Sequence, residues 1–134
     1  MFTIDQLKNA NLKVQTGADY PGYIQDLIKL GVVRYETFVT DGHSVFTGAG
    51  NFQLKSEGKY PLLQIADTID SEKLKKLLQE QKEGNTHYLS FCRHAAASGV
   101  EKWTVDVNAM TCTFFDKQGN VLVKETLPTV VKAI

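Results

Sequence analysis

Cysteine and histidine side chains can bind metal ions, and the closest such pair in this chain is Cys92-x-His94. The apolar stripe around this pair predicts a helix, and residues two apart on a helix point about 200° apart. The two side chains therefore cannot close on one ion. His43 and His87 have no Cys or His partner at zinc-finger spacing, so we expect no metal site.

The two cysteines also bear on nucleophilic catalysis. Cys92 shares an apolar stripe with Tyr88 and Ala95, and Cys112 shares one face of a predicted strand with Val107 and Phe114. These positions favour packing in the core over a reactive thiol. We predict two small buried hydrophobic residues, and two cysteines are too few for a disulfide framework.

The sequence lacks the familiar phosphate-binding and hydrolytic motifs. Gly48-Ala49-Gly50 leads into a predicted strand rather than a helix, so it lacks the context of a phosphate-binding loop. The sequence contains no Gly-x-Ser-x-Gly, His-Glu-x-x-His or P-loop motif. We therefore assign no catalytic residue and no cofactor, and lean against an enzyme.

Composition excludes further classes. Fifteen basic residues balance 15 acidic ones among 134, which argues against coating nucleic acid or anionic lipid. Apolar residues make up 43%, enough for a packed core. The opening residues 1–6 lack a basic region and an apolar run, and no segment has the length of a membrane helix. We expect a cytoplasmic bacterial protein.

A repeat runs through the chain at an offset of 68 residues. Identities at this offset include Tyr20 with Tyr88, Gly31 with Gly99, Val32 with Val100, Val39 with Val107, and Phe46 with Phe114. The order of predicted elements repeats as well. We therefore predict a single domain, 1–134, made of two similar halves, roughly 1–67 and 68–134.

Each half is predicted to hold two helices followed by strands. Thr3-x-x-Gln6 is a capping box for the first helix, and its counterpart begins at Asp70 or Ser71. The second helices are expected near 20–30 and 87–98, and a glycine follows each.

Strands are predicted at 33–40 and 43–47, joined by a two-residue hairpin at Asp41-Gly42, and at 101–107 and 110–115. Further strands are expected at 52–54 and 121–125, with a last one at 62–66 and its equivalent at 129–132. The result is an α+β fold, internally duplicated, with a mainly antiparallel sheet and helices packed on one face.

Alternation along the strands separates two faces of the sheet. Tyr35, Phe46, Trp103 and Phe114 belong to the face beneath the helices. The opposite face is polar and rich in threonine, yet it holds aromatic residues. The candidate ligand- or partner-binding residues on it are Arg34, Glu36, Phe38, His43, Lys102, Asp106 and Phe115.

Three interpretations of that opposite face are open: a solvated surface, a dimer or partner surface, and a small-ligand or catalytic site. Glu36 and Asp106 could form an acid–base pair, but no spacing demands one. An ion pair with Arg34 or Lys102 is the simpler explanation.

Several segments carry a family resemblance. They are 35–43 (YETFVTDGH), 99–106 (GVEKWTVD), 110–116 (MTCTFFD) and the opening 1–4 (MFTI). The chain resembles the YbcV-like family of small bacterial proteins of unknown function, sometimes labelled phage envelope protein. The resemblance implies association with prophages, and it implies no activity, cofactor or catalytic residue.

Our functional prediction is a binding or protein-interaction domain without enzymatic activity. Its partner would be another protein or a second copy of the chain, with no role for nucleic acid or membrane. The alternative is a small-molecule-binding protein or enzyme whose site lies in the groove between the two halves. A structural phage component is a third hypothesis.

Overall fold

The computed structural model describes residues 1–14, 19–83 and 87–126. Within these ranges the helices are α1 (Ile4–Leu12), α2 (Tyr20–Leu30), α3 (Ser71–Lys82) and α4 (Tyr88–Ala97). The strands are β1 (Val32–Phe38), β2 (Ser44–Gly48), β3 (Gln53–Lys55), β4 (Lys102–Asp106), β5 (Thr111–Phe115) and β6 (Val121–Thr126). A 3-10 turn spans Ala49–Asn51.

The six strands form one sheet in the order β3-β2-β1-β4-β5-β6, and every neighbouring pair is antiparallel. The predicted α+β class is confirmed. The strands of the first half join those of the second where β1 pairs with β4, so each half supplies three consecutive strands.

The register of β1 on β4 is symmetric about one residue pair. Glu36 lies opposite Thr104, its counterpart at the offset of 68. A two-fold rotation about that pair exchanges the Arg34–Asp106 pair with the Lys102–Phe38 pair. The internal duplication itself stays a prediction.

Local signals explain where the helices begin and end. The Thr3 hydroxyl accepts the Gln6 backbone N–H at 3.2 Å, while the Gln6 side chain accepts the Thr3 N–H at 2.9 Å. Asp70 caps α3 by accepting the N–H of Lys73 at 3.0 Å. Gly99 follows α4 at a φ of 94°, and a Cβ there would lie 2.6 Å from Ile69 Cδ1. Both the conformation and the space therefore require glycine.

One core lies between the helices and the inner face of the sheet. Tyr35 stacks on Phe46 with ring centres 5.3 Å apart, and Trp103 meets Phe91 edge-on at 5.5 Å. The predicted inner face is confirmed, since these residues and Phe114 are buried.

The β1–β2 hairpin is longer than predicted. The prediction of a two-residue turn at Asp41-Gly42 is wrong, because β1 ends at Phe38, β2 begins at Ser44 and residues 39–43 connect them. Val39 is fully buried and donates its N–H to the Glu101 carbonyl at 3.0 Å, which draws it away from β2. The Gly42 N–H closes the loop on the Phe38 carbonyl at 2.8 Å.

The strand predicted at 62–66 is also wrong. Residues 56–70 form an irregular connection from β3 to α3. Leu63 donates its N–H to the Thr40 carbonyl at 2.7 Å, and Ala66 donates to Ala96 at 2.9 Å. Through these bonds the segment is attached to the hairpin loop and to α4, and it does not pair with a strand of the sheet. The equivalent prediction at 129–132 lies outside the described residues.

Candidate functional site

The side of the sheet turned away from the helices, here called the open face, carries three transverse rows of side chains. One row, the aromatic row, consists of His43, Phe38, Lys102, Phe115 and Val121. The middle row consists of Lys55, Val45, Glu36, Thr104, Thr113 and Lys124. The polar row consists of Gln53, Thr47, Arg34, Asp106, Thr111 and Thr126.

Lys102 occupies the centre of the aromatic row. Its register neighbours are Phe38 on β1 and Phe115 on β5, and its ammonium lies 5.7 and 5.4 Å from the two ring centres. At half-exposed sites, cation–π contacts of this kind contribute about 0.5–1 kcal/mol each. The lysine therefore holds two aromatic rings in place on the outer surface.

The carboxylate of Glu36 completes this cluster. Its Oε1 accepts hydrogen bonds from Lys102 Nζ at 3.0 Å and from the Thr104 hydroxyl at 3.2 Å. Both ends of the ion pair are about one-third exposed. Such a pair contributes at most about 1 kcal/mol to stability. Its effect here is to neutralise the lysine between the rings.

His43 extends the row through an ordered imidazole. Its ring stacks on Phe38, with centres 4.5 Å apart and planes 8° from parallel. Nδ1 lies 2.6 Å from Asp41 Oδ1, which also accepts the His43 backbone N–H at 3.0 Å. Partial burial tends to raise the pKa of Asp41, but these bonds from His43 outweigh it and hold that pKa below its usual value. The carboxylate therefore fixes the ring against Phe38.

The polar row places Arg34 and Asp106 in register without an ion pair between them. Asp106 Oδ1 instead accepts the backbone N–H groups of Asn108 at 3.0 Å and Ala109 at 2.9 Å, so this carboxylate shapes the β4–β5 turn. The Arg34 side chain is exposed. Within residues 1–14, 19–83 and 87–126, its guanidinium has neither an ion pair nor a hydrogen bond.

A shallow groove of about 240 Å³ lies between the middle and polar rows. It is lined by Arg34, Tyr35, Glu36, Val45, Thr47, Gln53 and Thr104. The Gln53 amide donates to the Thr47 hydroxyl at 3.3 Å on its floor. The groove lies beside the Glu36–Thr104 pair, close to the symmetric centre of the sheet.

All seven predicted residues lie on the open face or at its end, but their side chains do not form one connected cluster. Glu36, Phe38, His43, Lys102 and Phe115 form one connected cluster. Arg34 lines the groove, and Asp106 serves the turn. The predicted ion pair of Lys102 with a neighbouring carboxylate is confirmed with Glu36 as the partner.

The sequence did not predict a second cluster, which lies between the β1–β2 connection and α4. The hydroxyls of Tyr60 and Tyr88 lie beside the Cys92 thiol, and Tyr60 donates to the Val39 carbonyl at 2.6 Å. The Lys59 ammonium lies 5.1 Å from the Tyr88 ring centre. Burial raises the pKa of Cys92 despite these polar neighbours. The one sequence feature that could have indicated this cluster is Tyr60, an aromatic residue that follows the polar stretch 55–59.

Both cysteines are buried, as predicted. Burial also raises the pKa of the Cys112 thiol, with the nearby Glu125 carboxylate acting in the same direction. Among the residues that the structure describes, no group of three or more His, Cys, Asp or Glu side chains is placed to hold a metal ion. None of the helices in those parts of the chain combines the length and apolarity needed to cross a membrane.

The fold and the open face define an α+β protein with helices on one side of an antiparallel sheet and a mixed aromatic and cationic surface on the other. The chain belongs to the family described as a protein of unknown function (DUF1398), whose family model matches residues 8–126. No curated protein matches the sequence.

Proposed function

We propose that this chain is a non-enzymatic protein-interaction domain that binds its partner through the aromatic row of the open face. One observation carries the proposal. Phe38 and Phe115 lie half-buried on the outer side of the sheet, while the row that mirrors theirs across the Glu36–Thr104 pair is polar. Aromatic residues are among the types enriched where proteins meet.

The apolar surface of this row supports binding. Val121, which lies beside Phe115 at the end of the row, is 59% exposed. A partner that covered Val121 and both phenylalanines would remove their apolar area from water, which is the main driving force for association. The rings are already oriented by Lys102 and His43, so little side-chain entropy is lost on binding.

The charged residues of the open face indicate which kind of partner would fit it. Apart from the Lys102–Glu36 ion pair, the outward-facing strand residues include three cations, Arg34, Lys55 and Lys124, against one carboxylate, Asp106. A second copy docked symmetrically by the same face would bring like charges together. A different protein that presents acidic and apolar side chains fits this surface better.

The alternative main function, an enzyme or a small-molecule-binding protein whose site gathers residues from both halves, has a weaker basis. Such a site would be concave and would bring together residues that differ between the halves, such as His43, His87 and Asp106. The groove near the centre of the sheet is lined by none of these three.

A cytoplasmic location and an association with prophages belong to the same proposal. They rest on the sequence composition and on the YbcV-like resemblance, and a structural phage component would be one setting for such an interaction domain. Purification of the chain from native host cells, with and without prophage induction, tests whether it enters phage particles.

A random peptide library displayed on yeast tests the interaction. We expect selection against the wild-type chain to enrich peptides that combine Asp or Glu with apolar residues. Phe38→Asp and Phe115→Asp should each weaken binding of the selected peptides at least about ten-fold, which is typical of a central interface residue. Leu62→Asp, which adds the same charge at an exposed apolar position on the 56–70 connection, should leave binding unchanged.

Three results would contradict the proposal. The enriched peptides could show no excess of acidic residues, or they could bind both phenylalanine variants as well as the wild type. A concentration-dependent dimer that Phe38→Asp abolishes, seen by sedimentation velocity, would replace the acidic partner with a second copy of the chain.

A further inference from the structure

We propose that the groove at the polar end of the open face binds a small carboxylate that carries a hydroxyl or amino group next to the acid. No residue of the aromatic row lines this groove, so ligand binding here can be tested independently of the proposed protein interaction. Its central residue is Arg34.

Three hydrogen-bond donors line one side of the groove in a single row. Arg34, Thr47 and Gln53 are register neighbours on β1, β2 and β3. The guanidinium has no partner within the described ranges and can bind a carboxylate through two parallel N–H bonds. One amide hydrogen of Gln53 is used by Thr47, which leaves the second for a ligand.

Thr47 gives an independent reason to place an acceptor here. The residue is only 4% exposed and lines the groove. Its hydroxyl oxygen accepts a bond from Gln53, but among the residues that the structure describes the hydroxyl hydrogen has no acceptor. The hydroxyl therefore already accepts one bond, and its hydrogen is free to donate to an acceptor that a ligand in the groove would supply.

The backbone also departs from a regular strand at this point. A β-bulge interrupts the β1–β2 ladder between the pairs Val32–Gly48 and Arg34–Thr47. Bulges of this kind re-aim the side chain that follows and occur often beside binding sites. Here the bulge directly precedes Arg34 and sets the direction in which it leaves the sheet.

The opposite wall determines the rest of the ligand. Glu36 uses Oε1 for Lys102 and Thr104, and its Oε2 has no hydrogen bond within residues 1–14, 19–83 and 87–126. Arg34 and Glu36 are two residues apart on one face of β1, a rise of about 7 Å. A carboxylate at Arg34 would therefore place a neighbouring hydroxyl or amino group toward the Glu36 carboxylate.

The volume limits the size of the ligand. A groove of 240 Å³ holds about eight water molecules at ~30 Å³ each. It therefore suits a molecule with about as many non-hydrogen atoms, well below the size of a nucleotide or a drug.

Two matched acids and one inorganic anion test the proposal. L-malate and succinate differ by one hydroxyl group, and inorganic phosphate supplies charge without a carboxylate. In titrations followed by amide NMR, we expect L-malate to shift the signals of Thr47, Gln53 and Thr104 saturably. Succinate should bind several-fold more weakly because it cannot donate to Glu36, and phosphate should bind more weakly still.

Two arginine variants separate a site from a general charge effect. Arg34→Gln should weaken L-malate binding at least about ten-fold, since it removes a charge-assisted hydrogen-bond pair. Arg93→Gln makes the same change of charge on an exposed position of α4 and should leave binding unchanged. Glu36→Gln should reduce the preference for L-malate over succinate.

The proposal is overturned if L-malate gives no saturable shift, or if Arg34→Gln and Arg93→Gln lower its binding equally. Stronger binding of phosphate than of either acid would overturn the carboxylate assignment. Failure of these titrations would leave the peptide experiments on Phe38 and Phe115 unaffected, because those residues do not line the groove.

Discussion

At the scale of single residues, the aromatic row depends on two polar side-chain pairs that orient its rings. Glu36 neutralises Lys102 between Phe38 and Phe115, and Asp41 holds the imidazole that stacks on Phe38. Each pair is partly exposed, so each contributes little to the free energy of unfolding. Their contribution is positional, because they keep apolar rings at the surface in one arrangement.

The Asp41–His43 pair leads to a prediction about acid stability. The folded-state pKa of Asp41 is lowered, so its contribution to stability is present above the unfolded-state pKa of about 3.9 and is lost as pH falls through the folded value. We expect the unfolding free energy of Asp41→Asn to fall less than that of the wild type between about pH 5 and pH 2. Urea unfolding at a series of pH values measures this difference.

Glu57→Gln is the control for that experiment, since it removes an exposed carboxylate from the neighbouring 56–70 connection. The difference between wild type and Asp41→Asn should be small and should shrink in high salt. An identical pH dependence for wild type and Asp41→Asn would show that the pair has no energetic role.

The composition of the open face was predictable, and that of the groove was not. Alternation along a strand assigns a residue to one face whatever its neighbours are, so Phe38, Lys102 and Phe115 could be placed together. The groove depends on the β1–β2 register and its bulge, and a bulge has no clear sequence mark. Thr47 and Gln53 were therefore not among the predicted site residues.

At the scale of elements, the four helices were predicted almost at their observed bounds because their termini carry local signals. Thr3 and Asp70 cap α1 and α3, and Gly31 and Gly99 follow α2 and α4 at the same φ of 94°. The failures occurred where distant contacts decide the conformation. Val39 leaves β1 to pair with Glu101, a residue far away in the sequence.

The packing of α4 on the sheet gives a prediction at the same scale. Ala95 and Ala96 are buried on α4, and bulky Trp103 lies in the sheet beneath that helix. On α2 the counterpart of Ala95 is the fully buried Leu27, whereas Ile28, the counterpart of Ala96, is 39% exposed. The counterpart of Trp103 in the sheet is the smaller Tyr35. We expect the small alanines of α4 to leave room for the bulky side chain of Trp103. Ala95→Leu should therefore lower the unfolding free energy by about 1–3 kcal/mol through overpacking.

Ala97→Leu is the matched control, because Ala97 is exposed on the same helix. It should change the unfolding free energy by no more than about 0.5 kcal/mol. Denaturant unfolding of both variants measures the contrast. Equal stability of Ala95→Leu and the wild type would contradict this role of the small alanines.

At the scale of the whole molecule, a symmetric framework carries an asymmetric surface. The strands are arranged evenly about the Glu36–Thr104 pair, and the inner face is apolar in both halves. On the outer face, Phe38 and Phe115 correspond to Asp106 and Thr47, so one end is aromatic and the other is polar. Two similar sets of elements therefore carry the two surfaces that we propose for binding, an aromatic one for a protein and a polar one for a small acid.

The footprint of a selected acidic peptide on the wild-type chain, mapped by NMR of side-chain and backbone signals, tests the central claim most directly. The account predicts that the largest shifts occur at Phe38, Lys102 and Phe115, with α1 to α4 unaffected. Shifts concentrated on the helices, with the aromatic row unchanged, would contradict it.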